Sequence, residues 1–270
     1  MAKFSVKIGI CAHRGIKLSV FQQLWEICKC PGIDISILPM DGDALISRSR
    51  SLVATYFLDK CKEDLLMFID DDVTITPFDA TKLMYLAYEK GLDIVGAGYV
   101  TKSKKNPGFA VRPLSMDGKM RFGKHGNLYS MRDVSTGCMV INRKVFKEMV
   151  ETKAVHDCVH GEKRYYPFFQ HREVEVNGVW EDMSEDWFFC HQARSLGFKI
   201  WMDSTIKLGH IGDYEYDWDN VAFKREQKTT EDLNCILGFG LEKAKNEIPS
   251  WRESLAKAFG NPVSVQNGRG

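Results

Sequence analysis

Five apolar residues run without a break into three acids at Leu65-Leu66-Met67-Phe68-Ile69-Asp70-Asp71-Asp72, and Val73 follows. A short, wholly apolar run reads as a strand covered on both faces, as central parallel strands are. Three consecutive carboxylates at its end are hard to explain by folding alone, because adjacent acids in a cleft repel unless a cation neutralises them. If the strand continues through them, Asp70 and Asp72 project to one side. Mg²⁺ and Mn²⁺ take oxygen ligands and often share them with phosphates. The plain alternative is a solvated acidic turn, or a cap for the helix that begins at Pro77.

Upstream, Phe4 to Cys11 is β-rich and ends at His13-Arg14-Gly15, a buried strand followed by a loop. Lys17 to Cys30 carries Leu18, Phe21, Leu24, Trp25 and Cys28 at helical spacing and closes at Pro31-Gly32. Ile33 to Leu38 is a second strand. Asp43 is placed to cap the next helix, with Leu45, Ile46, Leu52, Val53, Tyr56 and Phe57 as its apolar face. Downstream, Thr76-Pro77-Phe78-Asp79 combines an N-cap hydroxyl, a proline in the first turn and an acid three residues after the cap. Asp93 to Ala97 is a fourth strand. The first hundred residues thus read β-α-β-α-β-α-β, which implies a parallel sheet with helices on both faces. Such sheets bind ligands at the carboxyl ends of their strands. Those ends carry Cys11-Ala12-His13-Arg14 and Asp70-Asp71-Asp72.

The second half is less regular. Lys102 to Lys124 is rich in Lys, Arg, Gly and Pro and reads as a loop or short hairpin. Thr136-Gly137-Cys138-Met139-Val140-Ile141 is a turn entering a strand, and Val145 to Val150 a short helix. Val155 to Trp180 is irregular and aromatic. Ser184 to Leu196 reads as a helix ending at Gly197, and Phe198 to Met202 as another strand. From Asn261 the chain is polar, with a frayed end expected.

The 270 residues suit one large domain, or two small ones sharing a core. A 44% apolar fraction excludes intrinsic disorder. A net charge of +1 argues against a general nucleic-acid coat. No apolar stretch approaches the ~20 residues of a spanning helix, and the start has no signal-peptide pattern. The eight cysteines form no Cys-x-x-Cys pair, so reduced thiols and a cytoplasmic location are expected. His156-Asp157-Cys158-Val159-His160 has metal-binding residue types, but no second cluster at zinc-finger spacing completes it.

Two further segments carry chemistry. Ser184 reads as an N-cap, which puts Glu185 and Asp186 in a first helical turn. Acids there complement the helix dipole, and a carboxylate facing a cleft can also serve as a general base. His210, between glycines after a strand in Leu208-Gly209-His210-Ile211-Gly212, offers a neutral imidazole of the kind metals bind.

In this order the pieces resemble the nucleotide-sugar glycosyltransferases of the GT-A fold, especially the family-2-like branch, over roughly residues 5 to 212. In that group an Asp-x-Asp at the end of a central strand binds a divalent cation and the sugar-nucleotide diphosphate, and Asp70-Asp71-Asp72 matches it. Ser135-Thr136-Gly137-Cys138 resembles the segment that contacts donor or acceptor, with Gly137 at its centre. Glu185-Asp186 matches the Glu-Asp at a helix start, where the Asp of inverting members is the base. His210 stands where several members complete the metal site, giving Asp70, Asp72 and His210 as ligands. Arg48-Ser49-Arg50-Ser51 resembles the Arg-rich start of the second helix, where Arg50 matches best and Ser stands where Asn is usual. Ala12, His13, Arg14, Arg48 and Arg50 are the remaining candidates for holding the donor. The family's Gly-Gly-Phe before the Glu-Asp helix is replaced by an insertion, about 154 to 180, ending Gly178-Val179-Trp180.

The resemblance implies an α/β GT-A domain with a mostly parallel, Rossmann-like sheet, helices on both faces and an irregular acceptor-side half. Residues 1–215 would form the catalytic domain, with 1–100 binding the nucleotide-sugar and 101–215 serving acceptor and catalysis. Residues 216–270 would be a helical extension or lid. The implied activity is a Mn²⁺- or Mg²⁺-dependent hexosyl transfer from a nucleotide-diphospho-sugar, UDP-sugar by default and GDP-sugar as the main alternative, to an acceptor hydroxyl. The acceptor is open: a glycan, a protein, a small molecule, or a nucleic acid met by the basic 102–124 stretch. Trp180, Trp187, Trp201 and Tyr165-Tyr166 are candidates for stacking on sugars, and Asp213, Tyr214, Tyr216 and Trp218 for a lid. The competing classes are a sugar nucleotidyltransferase or other metal-dependent phosphoryl-transfer enzyme, and a binding module without turnover. The Gly-rich loop of the former is poorly matched by Ala12-His13-Arg14-Gly15, and the latter is expected to lose the acids that this chain keeps.

Overall fold

The computed structural model describes residues 3–13, 15–103, 108–114, 120–212, 215–217 and 234–235. Arg14, Lys104, Lys105, Lys119, Asp213, Tyr214, Trp218 and most of the C-terminal extension lie outside the described residues.

The chain begins as the apolar pattern requires: β1 (Phe4–Ala12), α1 (Leu18–Cys28), β2 (Ile33–Asp41), α2 (Ile46–Lys60), β3 (Leu65–Ile69), β4 (Val73–Thr74), α3 (Pro77–Glu89) and β5 (Ile94–Gly96). Then come β6 (Val111–Pro113), β7 (Met120–Arg121), β8 (Leu128–Val134), β9 (Cys138–Asn142) and α4 (Arg143–Glu151). Two hairpins follow, β10 (Cys158–His160) with β11 (Lys163–Tyr165) and β12 (Arg172–Val176) with β13 (Val179–Met183). Last are α5 (Glu185–Ser195), β14 (Ile200–Asp203), β15 (Gly209–Ile211), β16 (Glu215–Tyr216) and β17 (Asn234–Cys235).

Eight strands form one sheet in the order β2-β1-β3-β9-β5-β14-β8-β6. Strands β1, β2, β3, β5, β6 and β14 run one way; β8 and β9 run the other. The four main strands of the first hundred residues, β1, β2, β3 and β5, run parallel as expected, but β9 wedges antiparallel between β3 and β5. The alternating pattern of β1 to β5 could not reveal that, since the intruding strand lies some forty residues further along. The irregular, aromatic stretch before α5 is likewise two β-hairpins.

Strand β3 shows why the sheet sits centrally. Leu65, Met67 and Ile69 enter one core with Val20, Leu24 and Ile27 of α1 and Leu83 and Met84 of α3. Leu66 and Phe68 enter the other with Val53 and Phe57 of α2, Phe146 of α4 and Phe189 of α5. Period-two side chains on a strand covered by helices on both faces force this division. Gly9 lets α2 lie close on β1, since a Cβ there would come within 2.6 Å of a Val53 methyl.

Two helix faces differ from expectation. In α1, Val20, Leu24 and Ile27 are buried, while Leu18, Phe21 and Trp25 are exposed. The helix carries apolar residues on two sides, so spacing alone did not select the inward one. In α2, Leu45, Ile46 and Tyr56 are exposed and the buried set includes Ser49, Arg50 and Ser51. Asp43 does not cap α2, whose N-cap position is Leu45; its carboxylate accepts from the Leu45 amide at 3.0 Å and grips Arg48 instead. Thr76 does cap α3: its Oγ1 accepts from the Asp79 amide at 3.1 Å and donates to the Asp79 carboxylate at 2.8 Å.

Candidate active site at the carboxyl edge of the sheet

Strand β3 stops at Ile69, and the three acids form a turn closed by the Val73 amide on the Asp70 carbonyl at 3.2 Å. The Asp70 amide donates to the Gly137 carbonyl at 3.1 Å, and the Asp72 carbonyl accepts from the Ile211 amide at 2.7 Å. The turn is thereby tied to the bend at Gly137 that leads into β9 and to strand β15, which carries His210. The acids fan apart because the chain turns rather than extending through them.

Asp70 faces Arg50, whose Nη2 lies 2.7 Å from its Oδ1. The other terminal nitrogen of Arg50 pairs with Glu185. One buried guanidinium thus joins the acid turn after β3 to the first turn of α5. Burial alone would lower its pKa, but Asp70, Glu185 and Asp186 around it outweigh that and raise it. Burial raises the pKa of Glu185, against the pull of Arg50. Asp71 is raised as well, by burial first and then by its two acidic neighbours.

Asp72 turns the other way, towards His210. Strand β15 pairs with β4, setting His210 opposite Val73 and His210 Nε2 3.7 Å from Asp72 Oδ1. His210 Nδ1 is 2.8 Å from the Val100 carbonyl, so Nδ1 carries the proton and Nε2 presents a lone pair towards Asp72. Burial lowers the imidazole pKa, which keeps it neutral. Lys102 pairs with the second oxygen of Asp72.

Asp186 is buried at the start of α5, where its Oδ1 accepts from the Ser184 hydroxyl at 2.5 Å and the Trp187 amide at 2.8 Å. Ser184 occupies the N-cap position, but its side chain holds Asp186 rather than a backbone amide. Behind α5, Arg112 stacks on Trp187 at 3.9 Å and pairs with Asp133 at 2.6 Å and Glu181 at 2.8 Å. Arg132 joins the same Glu181 at 2.6 Å.

Among the sequence-derived candidates, Asp70, Arg50 and Glu185 form one chain of contacts, and Asp72 and His210 a second. Asp70 is drawn to the arginine rather than to the Asp72–His210 corner. Gly137 lies beneath both, and a Cβ there would come within 2.3 Å of the Tyr99 ring. Ala12 is buried at the end of β1 and His13 is exposed beyond it. Arg48 is apart from Arg50: Asp43 holds it bidentately at 2.6 and 2.7 Å. It lines a cavity of about 410 Å³ with His156, Tyr165, Phe169, His171 and Arg172. Trp180 is exposed, and Trp187 is covered by Arg112. Of the basic stretch, Lys102 and Arg112 are engaged with acids of the protein itself.

Tyr99, Lys102, Ser184 and Arg112 were not assigned these roles from sequence. Tyr99 packs edge-on against His210 with centroids 4.6 Å apart. Its place just past a strand's carboxyl end is the one signal that could have marked it.

The chemistry of the donor set fits a divalent cation in part. Among the described residues no three His, Cys, Asp or Glu side chains form a complete metal site. A carboxylate beside a neutral, tautomer-fixed imidazole is nonetheless a usable pair of ligands, and ions of the Mg²⁺ type commonly take one or two carboxylates and complete their shell with phosphate oxygens and water.

Residues 54–150 match the profile of glycosyl transferase family 2, a span that includes the acid turn, Tyr99 and Gly137 but ends before Glu185 and His210. The chain is similar to the crystal structure of A197 from STIV, with a TM-score of 0.52 and 17% identity over 77% of this chain and 86% of that one. It is also similar to GalNAc-T7, solved with UDP, GalNAc and Mn²⁺, with a TM-score of 0.46 and 10% identity over 77% of this chain and 44% of that one. No curated protein matches it in sequence. The family match over residues 54–150 and the shared fold support a GT-A-fold glycosyltransferase of family-2 type, and glycosyl transfer in general. No helix among the described residues is long and apolar enough to cross a membrane.

Proposed function

We propose that the protein transfers a sugar from a nucleotide-diphospho-sugar, a UDP-sugar in the first instance, to an acceptor hydroxyl with the help of Mn²⁺ or Mg²⁺. The observation that carries this is the pairing of Asp72 with a tautomer-fixed His210 a few residues from the buried Asp70–Arg50–Glu185 bridge, all at the carboxyl edge of the sheet. Asp72 and His210 would hold the cation, with Asp70 in reserve on Arg50. When bound, it would neutralise charge on the leaving diphosphate, a contribution of several kcal/mol.

The protein's own residues supply the rest. Arg50 adds fixed positive charge beneath the acid turn. Asp186 takes the proton of the acceptor hydroxyl as its oxygen bonds to the anomeric carbon, while the bond from that carbon to the diphosphate oxygen breaks and its electron pair leaves with the diphosphate. Ser184 and the Trp187 amide fix the orientation of Asp186. A base on the acceptor side favours inversion at the anomeric carbon.

The test is a thermal-shift panel of UDP, GDP, CDP and ADP, each with Mn²⁺ and with EDTA. A ligand at a hundred times its dissociation constant stabilises by about 2.7 kcal/mol, or roughly 5–10 °C for a chain of this size. One nucleotide should raise the midpoint only with Mn²⁺, and Asp72→Asn should abolish the shift. No shift with any nucleotide in Mn²⁺ would reject the donor site. A shift without turnover by Asp186-bearing protein on any acceptor hydroxyl, water included, would leave a binding module.

A further inference from the structure

The chain leaving β5 runs as an arm over residues 99–103 that pairs with residues 108–110: Val100 bridges Phe109, the Thr101 amide donates to the Gly108 carbonyl at 2.8 Å, and the Ala110 amide to the Tyr99 carbonyl at 3.0 Å. This arm reaches the Asp72–His210 corner twice. The Val100 carbonyl fixes the imidazole through Nδ1, and Lys102, two residues on, sets its ammonium against Asp72 Oδ2. Asp70 and Asp72 therefore each have a cation, but of different kinds. Arg50 lies within a packed helix with 6% of its side chain exposed and joins two acids; Lys102 lies on the arm with 32% exposed and pairs with one. The first is a permanent counter-ion, and the second can exchange with solvent ions.

We propose that Lys102 is a built-in counter-ion of the donor corner that neutralises Asp72 in the empty protein and competes with the divalent cation for that carboxylate. This rests on the metal corner proposed above. A divalent ion drawn to Asp72 and His210 meets an ammonium on the same carboxylate, and two cations so close repel through a weakly screening, partly buried site. The ion must displace Lys102. The arm that presents His210 through Val100 thus also carries the group that must leave, so cation binding and the position of the arm are coupled. Lys102 is released beside the place of the diphosphate, where an ammonium is a suitable partner for phosphate oxygens.

The test is Mn²⁺ affinity of the full chain without nucleotide, read from the electron paramagnetic resonance signal of free Mn²⁺, for the unaltered protein, Lys102→Met, Lys102→Arg and Asp72→Asn. Circular dichroism confirms that each is folded. Lys102→Met should bind Mn²⁺ roughly twofold to fivefold more tightly, the range expected when a partly exposed ion pair no longer competes. Lys102→Arg should stay near the unaltered value, and Asp72→Asn should lose binding. Equal affinity in the unaltered protein and Lys102→Met would overturn the competition while leaving the metal corner standing. Mn²⁺ binding in neither, or binding indifferent to Asp72→Asn, would remove the corner itself and the competition with it.

Discussion

Arg50 is the side chain on which the two halves of the site meet. It sits in a helix whose buried face is unusually polar, with Ser49 and Ser51 beside it. Burying a charge without partners is costly, so its retention follows from the two carboxylates that it joins. Breaking a buried pair by removing one member typically costs about 3–5 kcal/mol, because the other charge is left uncompensated. Arg50→Ala is therefore expected to lower unfolding stability by roughly 3 kcal/mol at neutral pH, measured by urea denaturation. Arg50→Lys should recover only part of it, since an ammonium cannot span Asp70 and Glu185 as the guanidinium fork does. The raised pKa of Glu185 has the opposite sign from a surface ion pair: its folded form holds a proton more tightly than the unfolded form, so that term favours the fold at low pH and is lost as pH rises through the folded value. A variant with undiminished stability would mean that the bridge contributes nothing net.

At the scale of elements, the parallel edge of the sheet is pinned by Glu63 just before β3. Its Oε1 accepts from Lys7 of β1 at 2.6 Å and from the Ser36 hydroxyl of β2 at 2.8 Å. Burial works against the charged form, but the hydrogen bonds from Lys7 and Ser36 prevail and bring its pKa down to about 2. A lowered folded pKa means that this stabilisation is present above the ordinary glutamate value and is lost as pH falls from about 4.5 towards 2. Glu63→Gln should therefore cost roughly 1–2 kcal/mol at pH 7 and flatten the acid limb of a stability–pH curve. An unchanged acid limb would count against the contact. The Asp133–Arg112–Glu181 contacts play a comparable part at the other end, locking β6 and β13 against α5, with Trp187 beneath the guanidinium.

Across the whole molecule, the acid turn and helix α5 are coupled through one aromatic core. Phe169, in the segment between the two inserted hairpins, stacks on Phe189 of α5 at 4.5 Å and meets Phe68 of β3 edge-on at 5.4 Å. Its backbone is bonded to Ser51 of α2 as well. Removing a buried phenyl ring costs about 3–5 kcal/mol. Phe169→Ala should lose that much stability and also weaken the Mn²⁺-dependent nucleotide shift, because β3, α2 and α5 would no longer be held in register. Phe169→Leu, which keeps most of the volume, should restore both; failure to do so would point to a local role for the ring.

Much of this was written into local sequence. The apolar run at Leu65–Ile69 determined a strand buried on both faces, Thr76-Pro77 determined where α3 starts, and three adjacent carboxylates at a strand end marked the edge that carries the candidate site. Those features depend on neighbours within a few residues, through backbone preference, capping and the period of the apolar pattern. The tertiary structure alone decided that β9 enters antiparallel beside β3, that α1 and α2 turn unexpected faces inward, and that Asp70 goes to Arg50 while Asp72 goes to His210 and Lys102. The reason is physical. Strand neighbours and ion-pair partners are chosen by packing and electrostatics between segments up to about 140 residues apart, and no local period or spacing carries that information.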